Sequence, residues 1–106
     1  MDEIKPCVLI ADSWSIGKCM GKVTEEYAEL ITANKEKTRL LSKLYSGDDK
    51  SKVREDLTIA RMDLVDEAID LMTAVRTLLW KLGLNDDDFH RAVERINRKN
   101  KERGYF

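Results

Sequence analysis

The chain is poor in the residues that interrupt helices and in those that build the common catalytic groups. Its 106 residues include one proline, five glycines, two cysteines and one histidine. So few prolines and glycines favour long helices over a β-sandwich, whose many turns need both residue types. The sequence shows no GxxxxGK phosphate loop, no Ser-His-Asp set and no Cys-His pair. We therefore give His90 no catalytic role.

Long apolar runs and a dominant charge of one sign are also missing. The longest apolar run near the start, Cys7-Val8-Leu9-Ile10-Ala11, is far too short for a signal sequence or a membrane span. We expect a cytoplasmic protein without a membrane partner, in which Cys7 and Cys19 are reduced thiols. The formal net charge of −1 argues against a nucleic-acid partner.

Helical periodicity runs through most of the chain. Apolar residues recur at helical spacing over about residues 18–44 and again over about residues 51–82, and residues 45–51, Tyr-Ser-Gly-Asp-Asp-Lys-Ser, read as a turn between them. Gly83 suits a helix end, and Asn85 suits the start of a third helix that fades near Lys101. We predict a single all-α domain over residues 1–106, with a long antiparallel hairpin and a C-terminal helix. Residues 1–17 form an N-terminal arm whose Val8-Leu9-Ile10 fits a short strand, a helical turn or a docking segment.

The second long helix lacks a clean polar face. Apolar residues also occupy the side away from its main stripe: Ile59, Met62, Ile69, Met72, Leu79 and Trp80. A helix that is apolar almost all round is buried all round, and one hairpin with a short third helix cannot cover it. We therefore predict a homo-oligomer, a dimer or a tetramer, that assembles into a helical bundle.

Two pairs of acids interrupt the apolar faces of the two long helices. Glu26 and Glu29 form an ExxE step, Glu67 and Asp70 form an ExxD step, and the two pairs are equidistant from residue 48. Residues three apart share one helix face, so a hairpin that turns near residue 48 brings all four carboxylates together. A single ExxE step is usually a solvated face, but burying four like charges without a counter-ion is very costly. The pattern predicts a site for Mg²⁺, or for Mn²⁺, with these four acids as its ligands.

Carboxylate-held Mg²⁺ commonly takes substrate phosphates at its open positions, which predicts hydrolysis of a phosphoanhydride bond. Glu25, beside Glu26, is a catalytic candidate for positioning or deprotonating the attacking water, or it is an exposed acid paired with Lys22. Trp14 either stacks on a base or packs in the core. Cations and amides that suit a phosphate chain are Lys22 and, in the basic tail, Asn97, Lys99, Asn100 and Arg103; the tail also fits a solvated helix end.

These motifs resemble a known family. Lys22-x-x-Glu25-Glu26-x-x-Glu29-Leu30, followed by Glu67-x-x-Asp70-Leu71, is similar to the MazG-type nucleoside triphosphate pyrophosphohydrolases. The tail Asn97-Arg98-Lys99-Asn100-Lys101-Glu102-Arg103-Gly104-Tyr105-Phe106 resembles that of small MazG-like proteins, and the likeness covers roughly residues 14–106. It implies an all-α oligomer that cleaves a nucleoside triphosphate between its α- and β-phosphates with Mg²⁺, giving a nucleoside monophosphate and pyrophosphate. It also implies that Glu26, Glu29, Glu67 and Asp70 are the metal ligands, with Glu26 part of the catalytic centre.

One departure from the family pattern leaves alternatives open. Residues 30–66 separate the two acid pairs, a longer stretch than is usual in the family. Longer helices would preserve the site, whereas a local insertion would shift its register. Two other functions also fit the sequence, namely a phosphoribosyl-ATP pyrophosphatase-like enzyme and a catalytically silent helical interaction module.

Overall fold

The chain folds into four helices and carries no strand in the part that the computed structural model describes, residues 3–47 and 49–106. The helices are α1 (Val8–Ser13), α2 (Ile16–Leu44), α3 (Lys50–Lys81) and α4 (Asp86–Glu102). The predicted all-α fold with a long hairpin and a C-terminal helix is therefore confirmed. Residue 48 of the predicted turn, and residues 1 and 2 of the N-terminal arm, lie outside the described residues.

Local capping signals set the helix boundaries. The side chains of Ser15, Asp49 and Asn85 each accept hydrogen bonds from first-turn amides at the start of α2, α3 and α4. Such bonds satisfy amides that have no partner within the helix. Gly83 follows α3 with a φ of 91°, in the left-handed region that glycine adopts without strain. The bounds predicted from the sequence consequently differ from the observed ones by only one or two residues.

Helices α2 and α3 form an antiparallel hairpin whose apolar core lies towards the turn. Leu40 on α2 is buried against Leu57 and Ala60 on α3, and Leu41 and Leu44 pack around them. Both helices are continuous over their full lengths. The long separation between the acid pairs therefore results from longer helices, and no insertion shifts the register.

The N-terminal arm is held against the far half of α3. The backbone N–H of Cys7 donates to Thr77 Oγ1 at 3.0 Å, and Arg76 Nε donates to the carbonyl oxygen of Ile4 at 3.1 Å. Helix α1 packs on α3 and buries Ala11. Of the three forms that the sequence allowed for Val8-Leu9-Ile10, the structure shows the helical turn.

Helix α4 leaves the hairpin after its first turn. Arg76 Nη2 lies 2.8 Å from Asp86 Oδ1, and its guanidinium carbon lies 3.8 Å from the centre of the Phe89 ring. Beyond these contacts the helix buries none of its residues, and its apolar stripe, Val93 and Ile96, is exposed. The fold therefore presents the basic tail away from the hairpin.

One side of α3 remains uncovered in the single chain. Ile69 and Met72 are 45% and 50% exposed, and Ile59 and Met62 lie open on the same helix. Val75 on the same helix is also exposed. This face is what the oligomer prediction requires, and the oligomer stays a prediction. None of the helices formed by the described residues is long and apolar enough to cross a membrane.

Candidate metal centre and its adjoining pocket

Glu26 stands at the centre of a carboxylate cluster between α2 and α3. Carboxylate oxygens of Glu26, Glu67 and Asp70 lie within 4.8 Å of one another, as do those of Glu25, Glu26 and Glu29. The two groups share Glu26, so the cluster spans both helices of the hairpin. Of the four predicted ligands, the structure brings Glu26, Glu67 and Asp70 together, and Glu29 adjoins them through Glu26; their role as metal ligands stays a prediction.

Two oxygens of this cluster are buried and unpaired. Glu26 is only 6% exposed, and its Oε2 atom, like Oε2 of Glu67, has no hydrogen-bond partner. Leaving a buried carboxylate oxygen without a partner is expensive, since it loses hydration and gains nothing in return. A divalent cation with oxygen ligands would satisfy both atoms, so the residues present fit Mg²⁺ or Mn²⁺.

The other oxygen of Glu26 is held by a lysine one turn earlier on α2. Lys22 Nζ lies 2.9 Å from Glu26 Oε1 and 3.4 Å from Glu25 Oε1. The hydrogen bond from Lys22 lowers the pKa of Glu26, against the opposing effect of burial. The hydrogen bond to Glu26 and its negative charge raise the pKa of Glu29. The cluster therefore carries repulsion that a single lysine relieves only in part.

A largely apolar pocket of about 250 Å³ opens beside the cluster. Its polar side consists of Glu26, Lys22 and Asp70. The arm contributes Trp14 to its wall. The remaining lining comes from both long helices and the arm: Cys7, Ile10, Cys19, Thr73, Ala74 and Thr77. Lys18 Nζ sits 4.4 Å from the centre of the Trp14 ring. An apolar pocket with a few convergent polar groups is the usual form of a small-molecule site.

A second cavity, about 490 Å³, lies along the hairpin on the side of Glu29. Its carboxylates are those of Glu25, Glu29, Glu36, Asp63 and Glu67. Glu29 and Glu67 belong both to this cavity and to the carboxylate cluster. The cluster therefore borders the second cavity as well as the apolar pocket.

The predicted substrate residues divide into two groups in the structure. Lys22 touches Glu25 and Glu26 directly, whereas Asn97, Lys99, Asn100 and Arg103 line neither of the two cavities. The reason is that α4 leaves the hairpin at Phe89, so the tail of one chain is not brought to its own acids. A role for the tail therefore stays a proposal.

Sequence reasoning missed the residues that shape the apolar pocket. Cys19 and Thr77 are buried in it, and Arg76 is only 5% exposed while it ties the arm to α3 and α4. An arginine and a threonine next to each other on the apolar part of α3 were a visible signal. Their partners, Ile4 and Cys7, lie about 70 positions away in the chain, so periodicity alone offered no way to pair them.

A family model described as phosphoribosyl-ATP pyrophosphohydrolase matches residues 6–100. The chain belongs to this family. It matches no curated protein and no solved structure. The phosphoribosyl-ATP pyrophosphohydrolase family lies within the MazG-like all-α nucleoside triphosphate pyrophosphatase superfamily, so the superfamily predicted from the acid motifs is confirmed.

Membership of the phosphoribosyl-ATP pyrophosphohydrolase family also establishes the class of reaction. The chain is a pyrophosphohydrolase, a hydrolase that acts on phosphoanhydride bonds, and its substrate is a nucleotide. The matched region begins before α1 and therefore includes residues 6–17 of the arm, most of which the resemblance found in the sequence did not cover. It ends at residue 100, so Arg103 lies beyond it.

Proposed function

We propose that the protein is a Mg²⁺-dependent nucleoside triphosphate pyrophosphohydrolase, with Mn²⁺ as a possible substitute. It hydrolyses the bond between the α- and β-phosphates, so that one water and one nucleoside triphosphate give a nucleoside monophosphate and pyrophosphate. The observation that carries this proposal is the pair of buried, unpaired oxygens of Glu26 and Glu67 beside an apolar pocket. Such a site combines a place for a divalent cation with a place for an uncharged part of a nucleotide.

The metal ligands that we propose are Glu26, Glu29, Glu67 and Asp70. When bound, Mg²⁺ neutralises phosphate charge and lowers the pKa of a coordinated water. Glu26 and Glu67 would each supply a buried Oε2 atom that has no hydrogen-bond partner. Glu29 and Asp70 are exposed and complete the set from the solvent side.

Glu25 is our candidate for orienting the attacking water and accepting its proton. Glu25 is exposed and adjoins Glu26, and it lines the second cavity rather than the apolar pocket. A water positioned by Glu25 would approach the phosphate chain from the second cavity, with the nucleobase in the apolar pocket. When the water attacks the β-phosphorus, the nucleoside monophosphate is the leaving group, and in-line displacement places it on the opposite side of that phosphorus from the water.

The apolar pocket would receive the base or the sugar of the nucleotide. Trp14 provides an aromatic wall, and Lys18 Nζ lies over its ring at 4.4 Å from the ring centre. The tail residues Asn97, Lys99, Asn100 and Arg103 remain candidates for the triphosphate. Because they lie away from the acids of their own chain, this role would need either a movement of α4 or a neighbouring chain in the proposed homo-oligomer.

Phosphoribosyl-ATP is a second candidate substrate, and the family match itself favours it. It contains the same triphosphate, so the acid cluster would serve either reaction. The difference lies in the extra ribose phosphate on the base, which the largely apolar pocket would have to admit or leave in solvent. The apolar lining is our reason for ranking ordinary nucleoside triphosphates first.

A nucleotide panel tests the proposal. The purified chain is incubated with Mg²⁺ and with each ribo- and deoxyribonucleoside triphosphate or phosphoribosyl-ATP, and pyrophosphate and monophosphate are quantified. We expect the two products in equal amounts from at least one nucleoside triphosphate, and none after chelation of the metal. Turnover of phosphoribosyl-ATP alone would instead support the second candidate, and no turnover of any nucleotide would support a silent interaction module.

A further inference from the structure

Lys22 and Glu26 form the tightest ionic contact of the cluster, and the two oxygens of Glu26 have different environments. Oε1 accepts from Lys22 Nζ at 2.9 Å, while Oε2 is buried and has no partner. Lys22 also has a second acid within reach, since Glu25 Oε1 lies 3.4 Å from the same nitrogen on the exposed surface. The lysine therefore has one buried partner, Glu26, and one exposed partner, Glu25.

A divalent cation and the Lys22 ammonium would compete for this carboxylate. A metal bound to Oε2 would stand a few ångströms from a positive charge on Oε1, and the repulsion is strong where little water screens it. The lysine side chain is flexible and about one third exposed, so it can leave without disturbing the helix. It also lines the apolar pocket, where a bound nucleotide would place its phosphates near the acids.

We propose that Lys22 is the internal counter-ion of the metal-free centre, which the incoming metal releases from Glu26 for contact with a substrate phosphate. This inference rests on the proposed metal site. It gives Lys22 opposite effects on the binding of the metal and on the binding of the substrate phosphate. Loss of its charge should strengthen metal binding and weaken phosphate binding. If Lys22 merely oriented Glu26 for the metal, loss of its charge would weaken both.

Calorimetric titration of the full chain with MnCl₂, without nucleotide, tests whether loss of the Lys22 charge raises or lowers the affinity for the metal. We expect Lys22→Met to bind Mn²⁺ roughly tenfold more tightly than the wild type, because one competing charge is gone. Lys22→Arg should stay near the wild-type affinity. With Mn²⁺ saturating, Lys22→Met should bind pyrophosphate several times more weakly. Lys52→Met is the matched control, because Lys52 also pairs with an acid four residues later on its helix, Asp56 on α3, which lies outside the cluster. This variant should change neither the Mn²⁺ affinity nor the pyrophosphate affinity.

Unchanged or weaker Mn²⁺ binding by Lys22→Met, with normal binding by the wild type, would overturn this inference and leave the proposed metal site standing. A wild type that binds no Mn²⁺ would overturn both. A second measurement avoids variants altogether. The ¹⁵N signal of the Lys22 ammonium in the wild type should move on addition of Mg²⁺ while that of Lys52 stays in place. A Lys22 signal that does not move at saturating Mg²⁺ would also overturn the inference.

Discussion

Glu26 on α2 and Glu67 on α3 face the same space between the helices, and each buries an Oε2 atom that no hydrogen bond satisfies. In a purely structural hairpin this level would hold a leucine pair. The two acids therefore reduce the stability of the metal-free chain, a cost that functional sites commonly carry. The melting temperature of the chain should therefore respond to any change in the charge or the metal content of this site.

Glu67→Gln should raise the melting temperature of the metal-free protein by a few degrees while it nearly abolishes turnover. The substitution removes one of the like charges and keeps the shape of the side chain. Thermal denaturation in the presence of a chelator, together with pyrophosphate release, measures both effects. Asp66→Asn, an exposed neighbour of equal charge, should change neither. Wild-type activity of Glu67→Gln would show that the site is misassigned.

Mn²⁺ or Mg²⁺ should stabilise the wild type strongly. A ligand at one hundred times its dissociation constant adds about 2.7 kcal/mol to the free energy of unfolding. For a domain of this size that corresponds to a rise in melting temperature of about ten degrees or more. Scans at increasing metal concentration measure the rise, and the Glu26→Gln variant should lose most of it. An equal rise in that variant would place the metal elsewhere.

A charge on the uncovered side of α3 should disrupt the proposed oligomer. Ile69→Glu or Met72→Glu would bury a carboxylate in an apolar contact, which is costly without a partner. Light scattering of the wild type should give a dimer or a tetramer, and the variants should give a smaller or an unfolded species. Ser42→Glu, at an exposed polar position of α2, is the control. A stable wild-type monomer at micromolar concentration would contradict the oligomer prediction.

Arg76→Ala should destabilise the chain by about 3 kcal/mol, since it removes a buried charge that holds the Ile4 carbonyl and Asp86. Urea denaturation measures the loss. Arg39→Ala, which deletes an exposed pair with Glu36, should cost less than about 1 kcal/mol. Trp14 fluorescence should also change in the Arg76 variant, because the arm would lose its attachment to α3. Equal effects of the two substitutions would contradict the anchoring role of Arg76.

Deletion of residues 98–106 should raise the KM for a nucleoside triphosphate while the melting temperature stays nearly unchanged. The tail buries little of itself, so its loss removes cations without removing core. Steady-state kinetics and thermal scans compare it with a control that lacks only residues 104–106, which should behave as the wild type. Normal KM in the longer deletion would leave the tail as a solubilising end.

The sequence by itself determined the three longer helices, their approximate ends and the meeting of Glu26 with Glu67 and Asp70. The helix cap Asn85 acts on an amide three residues away, so local spacing was enough to locate it. To predict that Glu26 lies opposite Asp70, the position of the turn was also needed. The turn residues at 45–51 gave that position. Two continuous helices with one turn leave little freedom in register.

Only the tertiary structure decided the rest of the site. The apolar pocket exists because Arg76 and Thr77 hold an arm that lies about 70 positions earlier in the chain, and no periodic pattern records such a pairing. The tail's separation from the acids depends on the angle at which α4 leaves the hairpin, which Gly83 and the Arg76–Phe89 contact set together. Local spacing fixes what lies on one helix face, whereas contacts between distant segments depend on packing that emerges only once the whole chain has folded.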